Sequence, residues 1–314
     1  MSALELRPLT LGELLDRAFA LYRRNFQLFA GIMLIPSSVL LPMQFLLLRS
    51  QGMPFPWARP SQPPKFPPYL FGIFFVYWIV YTVAQAATTY AVADTYLGRR
   101  STIAEAYRKI RGHFWRVIGI SLNVAIRIAG MVFLLVVLMA VGAGILVAVL
   151  TRGTAASKPG PLAILIGFGF VLCVFAAVVW FAMRYCGALP ALLIEDITGR
   201  AAIRRSVQLS QGRRGQIFVA MLLASIILYS VSFLFQGPFY VGIAVAGIQG
   251  HLPIWILAGM SVASLIGGAI AGPLVMIILV LCYYDLRIRK EGFDLQHMMT
   301  SLPQTEAAGS PAVL

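Results

Sequence analysis

The side chains able to carry chemistry are few and scattered. His113 sits in a basic segment, His251 between two apolar runs and His297 near the C-terminal end. The three cannot easily converge and none sits in a ligand-like pair, so neither a metal site nor a general acid–base pair is expected. Cys173, Cys186 and Cys282 lie in or beside apolar runs, without metal spacing or a disulfide framework, and are expected to be inert buried thiols. No catalytic, cofactor-binding or metal-ligating residue is therefore expected. What the chain does cluster is positive charge. Arg17, Arg23 and Arg24 precede one long apolar run, Arg108, Lys109 and Arg116 a second, and Arg204, Arg205 and Arg213 a third. Cations beside apolar spans suit anionic lipid headgroups, and these nine are the candidate headgroup contacts. The net charge of +14 is thus assigned to an anionic membrane surface and not to nucleic acid, whose binders carry such charge on a solvated face with interleaved aromatics.

The elements that must position these cations follow from hydropathy. The 314 residues are 60% hydrophobic and 11% charged, with a mean hydropathy of +0.84; soluble domains carry about 25% charged residues. The bilayer must be the solvent for most of the chain. Six runs are long enough to cross it as helices, at 27–48, 69–93, 128–150, 161–182, 217–246 and 254–283. The first begins after an acidic and basic helix and has no small-residue cleavage site behind it, so it is expected to be a retained anchor. The last two exceed a straight crossing. Gln236-Gly237-Pro238 is expected to bend or end the fifth, and Pro273 to kink the sixth.

Orientation follows from the distribution of Lys and Arg. Nineteen lie at the N-terminus, in the two long loops around Arg108 and Arg205, and after the last span; five lie in the remaining loops; Arg127 marks a membrane edge. That bias predicts cytoplasmic N- and C-termini in a cell inner membrane. The opposite loops are expected to be small. Residues 49–68 carry seven prolines and should be extended, 151–160 is a short polar turn and 248–253 a shorter one. The tail at 300–314 is small and polar, and is expected to be disordered and cytoplasmic.

The segments ahead of the odd-numbered spans share a plan. Thr10-Leu11-Gly12-Glu13 leads to Arg17 and Arg23-Arg24, and Thr102-Ile103-Ala104-Glu105 leads to Lys109 and Arg116. Each opens with a Thr-x-x-Glu capping box. Leu11, Leu15, Ala18, Tyr22 and Phe26 in the first, and Ile103, Tyr107, Ile110 and Phe114 in the second, recur at helical spacing. Glu13 with Arg17 and Glu105 with Lys109 stand four apart on the opposite face. The third copy is weaker: Thr198 leads to Ile203, Arg205 and Arg213-Arg214, but Ala201 replaces the capping Glu. The expected fold is an all-α integral membrane protein of six transmembrane helices in three hairpins, each preceded by a basic amphipathic interfacial helix. It fills one domain over 1–299, with repeats at 9–97, 101–187 and 198–286.

Gly268 and Gly272 form a Gly-x-x-x-Gly in the sixth span, a candidate close-packing surface within the chain or between copies. Asp94, Arg127 and Arg184 sit near span ends, where long side chains reach headgroups and Asp94 can pair with a neighbouring Arg. Beyond the last span Asp285, Arg287, Arg289 and Glu291 alternate in sign, Asp285 and Arg289 four apart, and form a candidate cytoplasmic docking element.

Three stretches carry a likeness: Leu6-Arg7-Pro8-Leu9-Thr10-Leu11-Gly12-Glu13-Leu14-Leu15-Asp16-Arg17-Ala18-Phe19, Ala201-Ala202-Ile203-Arg204-Arg205-Ser206 with Leu209, and Tyr283-Tyr284-Asp285-Leu286-Arg287-Ile288-Arg289-Lys290-Glu291-Gly292-Phe293-Asp294. They resemble the bacterial membrane-domain family named for the membrane portion of glycerophosphoryl diester phosphodiesterases. The resemblance implies a membrane module that is either fused to a soluble phosphodiesterase barrel or stands alone. These 314 residues leave no room for a barrel of about 250 residues beside six spans, so phosphodiesterase activity is not expected. The expected role is non-enzymatic, in envelope or lipid-linked scaffolding or assembly, with anionic membrane lipids and a protein partner or second copy as partners. The alternative is a transporter or flippase of a lipid or small apolar solute.

Overall fold

The computed structural model describes residues 9–51, 68–150, 161–249 and 253–291. Among them every regular element is a helix: α1 Leu11–Arg24, α2 Phe26–Gln51, α3 Tyr69–Tyr96, α4 Ile103–Ile110, α5 Phe114–Leu150, α6 Pro161–Tyr185, α7 Ala188–Ile194, α8 Gly199–Ser210, α9 Arg214–Gln249 and α10 Ile254–Glu291. Five stretches are long and apolar enough to cross a membrane: Phe71–Tyr96, Phe114–Gly142, Gly167–Ile194, Arg214–Ala246 and Trp255–Glu291. A sixth is added if α1 and α2, which meet at 84°, are taken together. The chain is a multi-pass membrane protein.

The bend between α1 and α2 has a local cause. The backbone N–H of Asn25 donates to the carbonyls of Leu21 and Tyr22, and its side-chain amide donates again to Leu21, 3.1 Å away. Closing the last carbonyls of α1 in this way ends the helix and lets α2 leave in a new direction. The starts of α1 and α4 are fixed by the expected boxes, with Thr10 and Glu13, and Thr102 and Glu105, satisfying each other's backbone amides. Thr198 makes no such side-chain bond at the start of α8, where Ala201 offers no reciprocal carboxylate.

α10 is the axis of the assembly. Its 38 residues span about 57 Å, and it packs against α9, α2, α1 and α3 and touches α7 and α8. Ile277, Ile278, Val280, Leu281, Tyr283 and Tyr284 are buried along it. Small residues set its approach to α2: a Cβ at Gly268 would meet Ser37 Oγ at 3.4 Å, and one at Gly272 would meet Met33 Cγ at 3.8 Å. The candidate packing motif therefore faces α2 of the same chain. By contrast α5 and α6 leave Phe133, Leu134, Leu165, Phe168 and Phe175 exposed, an ordinary surface toward lipid and an untenable one in water.

Several boundaries differ from the sequence reading. α4 stops at Ile110, and α5 begins at Phe114, well before residue 128; Arg116 thus belongs to the first turn of the long helix. No proline or glycine pair interrupts 114–127, and Arg116, Asn123 and Arg127 keep contact with the surface, so nothing ends the helix there. α9 does not end at Gly237-Pro238, and α10 continues through Pro273; in a membrane helix the carbonyls freed by proline can be re-satisfied by neighbours and local adjustment. α2 reaches Gln51, into the stretch expected to be extended. Finally α7, with Pro190 in its first turn, forms a short buried helix that apolar periodicity did not separate from its surroundings. The proline-rich loop over 52–67, the turn at 151–160, His251, His297 and the tail lie outside the described residues.

Candidate functional site: a charged girdle at one end of α10

The charged residues gather at the last turns of α10, where α1, α7 and α8 pack against it, and where α4 meets the end of α3. Asp285 is 2% exposed. Its carboxylate accepts from the backbone N–H of Leu9 at 2.8 Å, from Gln216 Nε2 at 3.2 Å and from Arg289 Nε at 2.9 Å. Arg289 in turn donates to the Leu9 carbonyl at 2.5 Å. One residue ahead of α1, Leu9, is thereby held at both its N–H and its carbonyl by two α10 residues four apart. Tyr22 adds a second tie, its hydroxyl donating to the Ile270 carbonyl at 2.6 Å.

A second cluster joins α7, α8 and α10. Arg205 Nε donates to Glu195 at 3.0 Å, and its Nη2 donates to Glu291 at 2.5 Å. Tyr283 donates its hydroxyl to Glu195 at 2.5 Å, and Arg287 Nε lies 3.3 Å from Glu195 and 3.5 Å from Glu291. Burial works against the charge on Arg205, but its hydrogen bonds to Glu291 and Glu195 outweigh that and raise its pKa. Lys290 donates to the Gln208 and Gln211 carbonyls at 2.8 and 2.7 Å, closing the end of α8.

Two further pairs fasten the remaining helices. Lys109 of α4 bonds Asp94 of α3, so Asp94 takes a lysine as a partner. Glu105 keeps its capping role; hydrogen bonds from Thr102 hold its carboxyl below the ordinary range. Arg116 donates to Asp196 Oδ1 at 2.7 Å and to the Ile197 carbonyl at 2.9 Å, while His113 Nε2 lies 3.2 Å from the same carboxylate. Asp196 holds φ +50°, a left-handed conformation that few non-glycine residues adopt, and its pKa is lowered chiefly by the hydrogen bond from Arg116.

The nine candidate headgroup cations thus divide. Lys109, Arg116 and Arg205 engage carboxylates of this chain. Arg17 is half-buried near Tyr96. Arg23, Arg24, Arg108, Arg204 and Arg213 are exposed. Of the candidate docking set, Asp285, Arg287, Arg289 and Glu291 all point into the girdle. Glu195, its busiest acceptor, was not singled out from sequence; the only signal was a carboxylate following the apolar Ala188–Ile194 stretch.

Chemically this is a set of closed ion pairs. Among the described residues no group of three or more His, Cys, Asp or Glu is arranged to hold a metal. A small cavity lined by Cys186, Ser206, Cys282 and Tyr283 has room for about one water molecule.

Residues 162–303 match the family model of the membrane domain of glycerophosphoryl diester phosphodiesterase. The match spans α6 to α10 and takes in the Ala201–Ser206 and Tyr283–Asp294 stretches that carried the resemblance, while the stretch from Leu6 to Phe19 lies outside it. No curated protein and no solved structure matches the chain.

Proposed function

We propose that the protein is a non-enzymatic membrane module of a bacterial inner membrane that grips anionic lipid headgroups and serves envelope or lipid-linked assembly. The observation that carries this reading is the disposition of the three short basic helices. α1 buries Leu14 and Ala18, α4 buries Ala106 and Ile110, and α8 buries Ala202, Ile203 and Leu209. Their outer faces, or the turns that follow them, expose Arg23, Arg24, Arg108, Arg204 and Arg213. If α2 crosses the bilayer near its normal, the 84° bend lays α1 in the membrane plane. The order of one short helix and two long ones, read three times along the chain with α7 as an addition, supports three hairpins on a common plan. The positive-inside bias supports cytoplasmic termini.

The reading is tested with the full-length protein in bilayer discs of mixed phosphatidylglycerol and phosphatidylcholine. Phosphatidylglycerol should be enriched around the wild type, and the enrichment should fall with salt and with glutamine at the five exposed arginines. Equal retention of both lipids would contradict it. The second reading, movement of a lipid or small apolar solute, draws support from Pro36, Pro42, Pro238 and Pro273 inside long helices. Reconstituted vesicles that scramble no labelled lipid would count against it.

A further inference from the structure

We propose that Arg184, Trp180 and Arg214 form a discrete site for one phosphate-bearing anionic headgroup, separate from the general charge of the short helices. Arg184 lies in the last turn of α6 and Arg214 opens α9. Their guanidinium carbons stand 5.4 and 5.3 Å from the centroid of the same Trp180 ring. Two like charges gathered on one indole repel each other, and the girdle's carboxylates do not relieve this: Glu195, Glu291, Asp285 and Asp196 are engaged by Arg205, Arg287, Arg289 and Arg116. The Nε atoms of both Arg184 and Arg214 are buried and have no hydrogen-bond acceptor among the described residues. Buried guanidinium donors ordinarily find an acceptor.

Stacking on an aromatic ring occupies the flat face of a guanidinium and leaves its edge N–H groups for a ligand. Two such edges around one ring suit the non-bridging oxygens of a phosphate, which accept paired N–H donors. The position is fixed from within the fold, because Ser206 donates its hydroxyl to the Arg184 carbonyl at 2.9 Å and so ties the end of α6 to α8. Trp180 is partly exposed, which leaves a way in from the headgroup layer. The ligand is a phosphate group, of a lipid or free; the site rests on the reading that this end of the molecule lies at headgroup depth.

The test is a titration of the full-length protein in detergent with dioleoylphosphatidylglycerol and dioleoylphosphatidylcholine, read by native mass spectrometry. The wild type should take up one phosphatidylglycerol in preference. Arg184→Gln with Arg214→Gln should weaken that first binding about tenfold or more, as expected for lost charge-assisted bonds, whereas Arg200→Gln, at an exposed arginine in the first turn of α8 that belongs to neither set, should leave it within about twofold. Should the double variant fail to fold, Arg214→Lys keeps the charge without the fork and should still weaken the first binding. Competition by inorganic phosphate would identify the phosphate alone as the ligand; its failure with the arginine dependence intact would identify the lipid. Wild-type uptake by the double variant, or an equal loss in Arg200→Gln, would overturn the site. If anionic-lipid enrichment by the five exposed arginines persisted in that case, the general headgroup reading would stand without it.

Discussion

Arg205 is the residue on which most of the girdle converges, since two carboxylates from different helices close on its guanidinium. Its side chain is 27% exposed and that of Glu195 14%. Removing one partner from a largely buried pair leaves the other charge desolvated, at about 3–5 kcal/mol; partial exposure and the remaining Arg287 reduce that here to about 2–3 kcal/mol. Arg205→Met should therefore lower the thermal unfolding midpoint of the detergent-solubilised protein markedly, while Arg204→Met, one residue away and exposed, should change stability by less than about 0.5 kcal/mol. The Asp196 carboxylate has a signed pH dependence. Its folded pKa is depressed, so its pairing with Arg116 stabilises the fold above the ordinary carboxylate value of about 3.9 and is lost as pH falls through the lower folded value. Asp196→Asn should remove this contribution above about pH 4, leaving a shallower loss of stability on acidification in a pH series of unfolding midpoints.

At the scale of elements, capping and close packing make separable predictions. Thr102→Ala removes the acceptor for the Glu105 amide at the start of α4 and should cost about 1 kcal/mol. Alanine at Gly268 adds a Cβ 3.4 Å from Ser37 Oγ, an ordinary contact, and should be nearly neutral. Alanine at Gly259 would place its Cβ 2.1 Å from Phe239 Cε1, so the ring must move; that variant should be destabilised by about 1–3 kcal/mol and show the larger drop in unfolding midpoint. The elements were legible where the signal was local. Thr10 with Glu13 and Thr102 with Glu105 announced two helix starts, and Asp285 with Arg289 announced its own i,i+4 pair. Long-range partners were not legible: Lys109 reaches Asp94 across a turn and Glu195 reaches Arg205, Tyr283 and Arg287, and no spacing rule links such positions. The start of α5 was missed for another reason. Hydropathy marks where a helix becomes apolar, not where its backbone bonds begin, so polar Arg116, Asn123 and Arg127 hid about four turns of continuous helix.

Across the whole molecule, the long apolar helices hold the chain in a bilayer, α10 gathers α2, α3 and α9, and the charged residues tie α1, α7 and α8 to one end of that axis. The account requires that Arg24, Arg108 and Arg204, drawn from three separate short helices, share one membrane face, the cytoplasmic one, where anionic headgroups and the positive-inside bias both place arginine. The most direct measurement is thiol labelling of intact cells with a membrane-impermeant maleimide. It uses a variant lacking the three native cysteines, with a single cysteine placed in turn at Arg24, Arg108, Arg204 and, for the opposite side, Ser157. The account predicts labelling of Ser157→Cys in intact cells and of the other three only after the membrane is permeabilised. Labelling of Arg108→Cys or Arg204→Cys in intact cells would contradict it.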